Sequence, residues 1–158
     1  MKIVIVSDTH DNWPNFEKVI KWAMQEKISL ILHCGDICSQ EIIDKAKAAF
    51  AKASASQVKF AQGNADKGAG LDLPVKMELE VSKKKIGFCH FPDIAKKMAQ
   101  SGKYDIVFYG HTHRAWDEMV ENTHMVNPGE SAGQFYKPTF AVYDIANGKL
   151  ELKILEKI

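Results

Sequence analysis

No apolar stretch in this sequence approaches the roughly 18 residues of a membrane-spanning helix. The N-terminal apolar run Ile3–Val6 stops at Asp8, too short for the apolar region of a secretory signal. Cysteine is scarce, with only Cys34, Cys38 and Cys89. An odd count at irregular spacing builds no disulfide framework, and Cys34 and Cys38 lack the second pair that a zinc knuckle needs. Reduced, half-buried thiols in a cytoplasmic protein are what this usage predicts. An excess of one charge is missing too: the net charge is +1. That argues against a chain that coats nucleic acid, whereas a small anionic substrate needs only a local positive field. Internal repeats, low-complexity segments and Pro/Gly-rich linkers are absent.

What remains is an ordinary globular composition, 46% apolar and 26% charged over 158 residues. That length fits one domain, 1–158, burying about two-thirds of its unfolded surface. The first half alternates strand and helix. The β-branched run Lys2–Val6 predicts a strand. Asn15–Glu26 follows with Phe16, Val19, Ile20 and Ala23 at helical spacing and Pro14 at its first turn. Leu30–His33 is a second strand, Ser39 caps a helix through Phe50, and Val58–Ala61 is a third strand. The alanine-rich run Ala46–Ala55 reads as a solvated helix face. Strands joined by such helices pair in parallel through right-handed crossovers.

The second half is richer in strands. Lys76–Val81 and Ile86–Cys89 form a hairpin around an exposed turn, Ser82–Lys85. A helix runs from Asp93 to Ser101 and stops at Gly102. Asp105–Tyr109 is a buried strand, followed by short strands near Glu118–Glu121, His124–Val126, Thr139–Asp144 and Leu150–Leu155. Asn147-Gly148 is a hairpin turn, and Gly63–Pro74 is an irregular loop. The class is therefore α/β, grading into α+β.

The residues after the strands carry the chemistry. The first strand delivers Asp8-Thr9-His10, the second Gly35-Asp36 and the third Gly63-Asn64. The fifth ends in His90, and the sixth is followed by Gly110-His111-Thr112-His113. Carboxyl ends of strands are where α/β sheets build their sites. Two aspartates, one asparagine and four histidines thus converge. Crowded carboxylates and imidazoles perturb one another's protonation, and a cation resolves that conflict. Seven donors exceed the needs of one tetrahedral ion but suit two if one carboxylate is shared. Asp36 is the bridging candidate, because Gly35 lets the backbone come close. Nitrogen and oxygen donors favour divalent manganese, iron, zinc, nickel or magnesium over copper(I) or an iron–sulfur cluster. Each fragment alone is a weak signal; the ordered set is specific. His33, inside the second strand, and His124, in a late hairpin, read as structural.

These residues resemble the calcineurin-like metallophosphoesterase family, whose pattern is Asp-x-His, Gly-Asp, Gly-Asn-His-Asp/Glu, a lone His and Gly-His-x-His. The resemblance runs over the whole chain. The short form without a cap domain is similar to the small bacterial and archaeal phosphodiesterase branch. Asn127-Pro128-Gly129 is similar to it as well, with Glu130 where that branch usually has Ser. The resemblance implies two packed mixed β-sheets flanked by helices. It implies a first metal on Asp8, His10 and His113, a second on Asn64, His90 and His111, and Asp36 as the bridge. Asp36, Asn64 and His90 would be catalytic. Two divalent ions are expected, manganese first, with nickel, zinc, iron or magnesium as alternatives. A hydroxide bridging them would attack a small phosphate ester, a diester in preference to a monoester.

Two positions depart from the pattern. Ala65 stands where the family's histidine follows the asparagine, which leaves the identity of any protein general acid open; losing such a group costs on the order of 100- to 10,000-fold, most for poor leaving groups. Phe91-Pro92 follows His90 where glycine is usual. Phe91 reads either as an aromatic wall in contact with substrate or as plain packing. Asp66 reads either as the partner that orients a ligating histidine or as a loop cap. The alternatives to a phosphodiesterase are a phosphomonoesterase, a nuclease, disfavoured by the near-neutral charge, and a protein-binding scaffold of the same fold like the small retromer subunit. Trp13, Trp22 and Trp116 would pack in the core in preference to forming a partner surface. A homo-oligomer, with Trp116 or Tyr136 in a subunit contact, stays open.

Overall fold

The computed structural model describes residues 1–51 and 56–158. Among them the chain runs β1 (Lys2–Val6), α1 (Trp13–Gln25), β2 (Leu30–His33), α2 (Gln40–Ala51), β3 (Gln57–Phe60) and α3 (Asn64–Gly68). It continues with β4 (Lys76–Val81), β5 (Lys84–Cys89), α4 (Pro92–Gln100), β6 (Ile106–Phe108), β7 (Trp116–Val120), β8 (Thr123–Asn127), β9 (Thr139–Asp144) and β10 (Lys149–Ile154), and ends in a 3₁₀ turn, Leu155–Lys157.

The strands form two mixed sheets of five, ordered β10-β9-β1-β2-β3 and β4-β5-β6-β8-β7. β1, β2 and β3 are parallel, with Val4 opposite Ile31 and Ile31 opposite Val58. β5, β6 and β8 are parallel in the other sheet. Alternation along β1 shows how the layers assemble, since successive side chains of a strand point to opposite faces. Ile3 and Ile5 join Leu32, Phe88, Phe108 and Val126 between the sheets. Val4 and Val6 face the other way, against Phe16 and Ile20 of α1 and Ile43 and Phe50 of α2. Both faces of β1 are covered, which is why its sequence is a continuous β-branched run and not an alternating one. Helix α4 covers the far side of the second sheet through Ala95, Met98 and Ala99, against Val107, Tyr109 and Met125. The result is a helix–sheet–sheet–helix sandwich. No helix among the described residues is long and apolar enough to cross a membrane.

Several expectations change in detail. Helix α1 begins at Trp13, two residues early, because the Asn12 side chain accepts the Asn15 N–H and caps it there. The turn expected at Ser82–Lys85 is only Ser82-Lys83, both at positive φ, and Lys84 and Lys85 already belong to β5. The expected loop Gly63–Pro74 contains α3. Part of the alanine-rich run, residues 52–55, lies outside the described residues. Trp13 and Trp22 pack against the first core. Trp116, expected there too, is half exposed on β7, with the Arg114 guanidinium 5.6 Å over its ring.

Candidate metal centre

The loops at the carboxyl ends of β1, β2, β3, β5 and β6 meet at one point, and backbone hydrogen bonds stitch them together. The Asp8 N–H donates to the Gly35 carbonyl (3.0 Å), His10 N–H to the Asp36 carbonyl (2.9 Å) and Gly110 N–H to the His90 carbonyl (3.0 Å). Three glycines allow this crowding, Gly35 because a β-carbon there would press on His90 and the Gly63 N–H. A β-carbon at Gly63 would collide with the Asp36 carboxylate, and one at Gly110 with Ser7 and Asp8. Asp8, His10, Asp36, His111 and His113 all hold positive φ, between 41° and 73°. Non-glycine residues adopt that region at a cost and do so mainly where surrounding structure compels it. Five of the seven candidate ligands are therefore aimed by backbone that the fold holds in a disfavoured conformation.

All seven come together, in two groups that share one atom. In the first, His10 Nε2 lies 3.9 Å from Asp8 Oδ1, 3.7 Å from Asp36 Oδ2 and 3.3 Å from His113 Nε2. His113 Nε2 is 3.6 Å from Asp8 Oδ1. In the second, His90 Nε2 lies 3.4 Å from Asp36 Oδ2, 3.1 Å from Asn64 Oδ1 and 3.2 Å from His111 Nδ1. His111 Nδ1 is 3.0 Å from Asn64 Oδ1. Neighbouring ligands around an ion with bonds of about 2.1 Å sit roughly 3.0–3.5 Å apart. Asp36 Oδ2 belongs to both groups.

The donor chemistry fits a cation. The His90 Nδ1–H donates to the Cys34 carbonyl (2.9 Å), and His113 Nδ1–H to Glu130 Oε2 (2.8 Å). Carbonyl and carboxylate oxygens only accept, so the proton of each neutral ring sits on Nδ1 and the Nε2 lone pair faces inward. Asn64 Oδ1, Asp36 Oδ2 and the His90 Nε2 lone pair thus converge as acceptors, joined by His111 Nδ1, whose role as donor or acceptor follows its tautomer. Without an ion, protons compensate. Burial works against a charged His90, but Asp36, Asp8 and the Cys34 carbonyl outweigh it and raise its pKa. Burial also raises Asp8, in spite of His90 and His113. Burial opposes ionisation of Asp36, yet His90, the Ala65 N–H and His10 together hold its carboxyl below the usual value.

Asp66 is buried beneath this centre. Its oxygens accept the N–H groups of Asp36, Ile37, Cys38 and Gly63, each at 2.8 Å. It therefore shapes the loop that carries Asp36 and, among the described residues, makes no hydrogen bond to a histidine. The Phe91 ring lies 5.1 Å from His90 and 5.4 Å from His111, a wall beside the second group. His33 sits in the core with its nitrogens engaged by Thr9 (3.0 Å) and the Gly35 N–H (3.2 Å), and His124 pairs with Asp117 (3.0 Å).

Glu130 is the residue whose role the sequence did not reveal. Its side chain is fully buried, yet burial is outweighed by His113 and the N–H groups of Tyr136, Phe135 and Gln134, which keep it ionised below the usual carboxylate range. The only sequence signal was its departure from serine after Asn127-Pro128-Gly129. That tripeptide fastens the loop of His111 and His113, because Asn127 Nδ2 donates to the Gly110 carbonyl (2.9 Å) and to Thr112 Oγ1 (3.0 Å).

The model of the calcineurin-like phosphoesterase superfamily domain matches residues 1–148. A phosphodiesterase of Methanocaldococcus jannaschii is 30% identical, over 99% of this chain and 100% of that protein. A solved archaeal phosphodiesterase superposes with a TM-score of 0.83 at 28% identity, covering 98% of this chain and 99% of that one. Vps29 of Entamoeba histolytica, solved in complex with zinc, shares the fold at a TM-score of 0.67 and 17% identity, with 97% of each chain covered.

Proposed function

This chain belongs to the calcineurin-like phosphoesterase superfamily, and from that premise we propose that it hydrolyses small phosphate diesters with two divalent metal ions. Membership makes it a phosphoester hydrolase; the full-length phosphodiesterase relatives support the diester. Asp8, His10 and His113 would hold one ion, Asn64, His90 and His111 the other, and Asp36 both. The observation that carries this reading is Asp36 Oδ2, 3.7 Å from His10 Nε2 and 3.4 Å from His90 Nε2. The nitrogen and oxygen donors suit manganese first, with nickel, zinc, iron or magnesium as alternatives. When bound, such ions supply Lewis acidity to phosphoryl oxygens and make an acidified water available at neutral pH.

The chain's own groups do the rest. The Nδ1 hydrogen bonds of His90 and His113 fix ring orientation and keep both Nε2 lone pairs inward. Asn64 contributes an oxygen without charge, so the second group carries less negative charge than the first and better tolerates an anionic substrate. Asp36 is held twice: Oδ1 accepts the Ala65 N–H at 2.8 Å, leaving Oδ2 for the centre. Ala65 offers no side-chain proton, so the departing oxygen takes its proton from water. Esters with acidic leaving groups are favoured accordingly. Phe91 walls the second group. A single domain acting in the cytoplasm is part of this reading, and the free thiols Cys34, Cys38 and Cys89 agree with a reducing compartment.

The test compares bis-p-nitrophenyl phosphate with p-nitrophenyl phosphate after metal removal and re-addition of manganese, nickel, zinc or magnesium. Diester hydrolysis should vanish with the metal and return with it, and should exceed monoester hydrolysis. Full activity in excess chelator would sink the metal reading.

A protein-binding role is the second reading. Trp116, Met119 and Leu152 are each at least half exposed, and Trp116 and Leu152 border one cleft. A biological role surviving alanine at both Asp36 and His111 would favour it.

A further inference from the structure

We propose that Phe135 is a specificity-determining residue: its ring forms a stacking platform for a planar aromatic ester group of the diester. The inference rests on the phosphodiesterase reading and names the substrate class within it. Phe135 is the most exposed large apolar side chain among the described residues, at 74%. A phenyl ring left in water forgoes the burial that normally holds such residues inside. Its exposure is not that of a slack loop. The Phe135 N–H donates to Glu130 Oε1 at 2.6 Å, and the Tyr136 N–H donates to the same oxygen. The base of the segment is fixed as well, by the Ser131 and Ala132 N–H groups on the Ser7 and Asp8 carbonyls (both 3.0 Å) and by Ser131 Oγ–H on the Thr139 carbonyl (2.9 Å).

The ring stands against the centre. Its centroid is 5.0 Å from that of His113, with the planes at 84°. Glu130 thus holds His113 with one oxygen and the Phe135 backbone with the other, so ligand and platform share one anchor. Phe91 flanks His111 in the second group, 5.4 Å away. The cluster therefore has a phenyl ring beside each of its two metal-ligand groups, and a diester has two organic arms. The segment Ala132–Tyr136 carries no charge, so what it offers a ligand is π surface. Aryl esters and nucleoside esters share that chemistry.

The test uses three diesters with one leaving group: methyl p-nitrophenyl phosphate, bis-p-nitrophenyl phosphate and thymidine 5′-(p-nitrophenyl phosphate). All three carry the leaving ring, so the ratio of kcat/KM for a diester with a second ring over the methyl diester reads the non-leaving arm and cancels damage to the centre itself. Phe135→Ala and Phe135→Leu should lower that ratio roughly 3- to 10-fold, mainly through KM, and Phe135→Trp should restore it. A fall for the aryl diester alone assigns the platform to aryl groups, and for the thymidine diester alone to nucleobases. Calorimetry adds a readout without turnover. The manganese-loaded protein should bind phenylphosphonate more tightly than methylphosphonate, with the difference lost in Phe135→Ala. Unchanged ratios together with an unchanged phosphonate preference overturn the platform while leaving the phosphodiesterase reading intact. Wild-type protein that hydrolyses no diester and binds neither phosphonate overturns that reading, and the platform with it.

Discussion

Glu130 Oε2 lies 2.8 Å from His113 Nδ1, joining a fully buried carboxylate to a ring whose other nitrogen faces the candidate centre. Such outer partners hold a ligating histidine in one tautomer, and losing them typically costs about 10- to 100-fold in metal affinity. Glu130→Gln keeps the size and one acceptor but removes the charge. Its affinity for manganese, measured by competition with a chelating dye, should fall by that factor while the circular dichroism spectrum stays native. Unchanged affinity would leave Glu130 with only its loop-holding role.

Asp66 accepts four N–H groups and is inaccessible to solvent. Asp66→Ala strands all four in the interior, where each unsatisfied group costs about 1–3 kcal/mol. Partial access to water reduces the sum, and a loss of about 3 kcal/mol or more in urea unfolding is expected. A loss under about 1 kcal/mol would contradict the bracing role.

Two histidines pull stability in opposite directions with pH. Burial lowers His33 to about 4, so its contribution is complete above its unfolded value near 6.5 and is lost as pH falls toward 4. His90 is raised by Asp36 and Asp8 against the pull of burial. Its contribution is complete below about 6.5 and is lost as pH rises through the folded value. Asp36 and Glu130, both held low, lose their contributions as pH falls, and Asp8, raised by burial, loses its contribution as pH rises through its folded value. Chemical denaturation in chelator should therefore show a stability maximum in the weakly acid range, with a fall on either side. Manganese should flatten the alkaline limb, because an ion takes over the role of the His90 proton. A metal-free protein whose stability climbs steadily above pH 7 would contradict this.

Ala65 itself offers the departing oxygen no side-chain proton. Ala65→His should speed alkyl diesters about 100-fold or more and leave p-nitrophenyl esters much less affected, since general-acid help matters most for poor leaving groups. A plot of log kcat against leaving-group pKa should be steep in the wild type and shallower in the variant. Equal slopes would show that the acid comes from elsewhere.

Much of the fold was legible because β1, β2 and the buried faces of α1 and α2 follow simple periodicities that tertiary packing reinforces. Helix α3 was hidden because its five residues include two poor helix formers, Asn64 and Gly68, and its cap position is Gly63, which has no side chain to signal a start and relies on Asp66 reaching back three residues. The seven candidate ligands were legible because each ends or follows a strand. Glu130 was not: its partner His113 becomes a neighbour only when the segment after β8 meets the loop after β6. Trp116 went wrong for a related reason, since β7 is an edge strand and periodicity alone does not say which sheet face stays bare.

The most direct test concerns Asp36. Metal content by calorimetric titration with manganese should give two sites per chain in the wild type. In Asp36→Asn at least one site should weaken by an order of magnitude or more, and hydrolysis of bis-p-nitrophenyl phosphate should fall at least about 100-fold. Two unperturbed sites with wild-type turnover in that variant would contradict a centre built on a shared carboxylate.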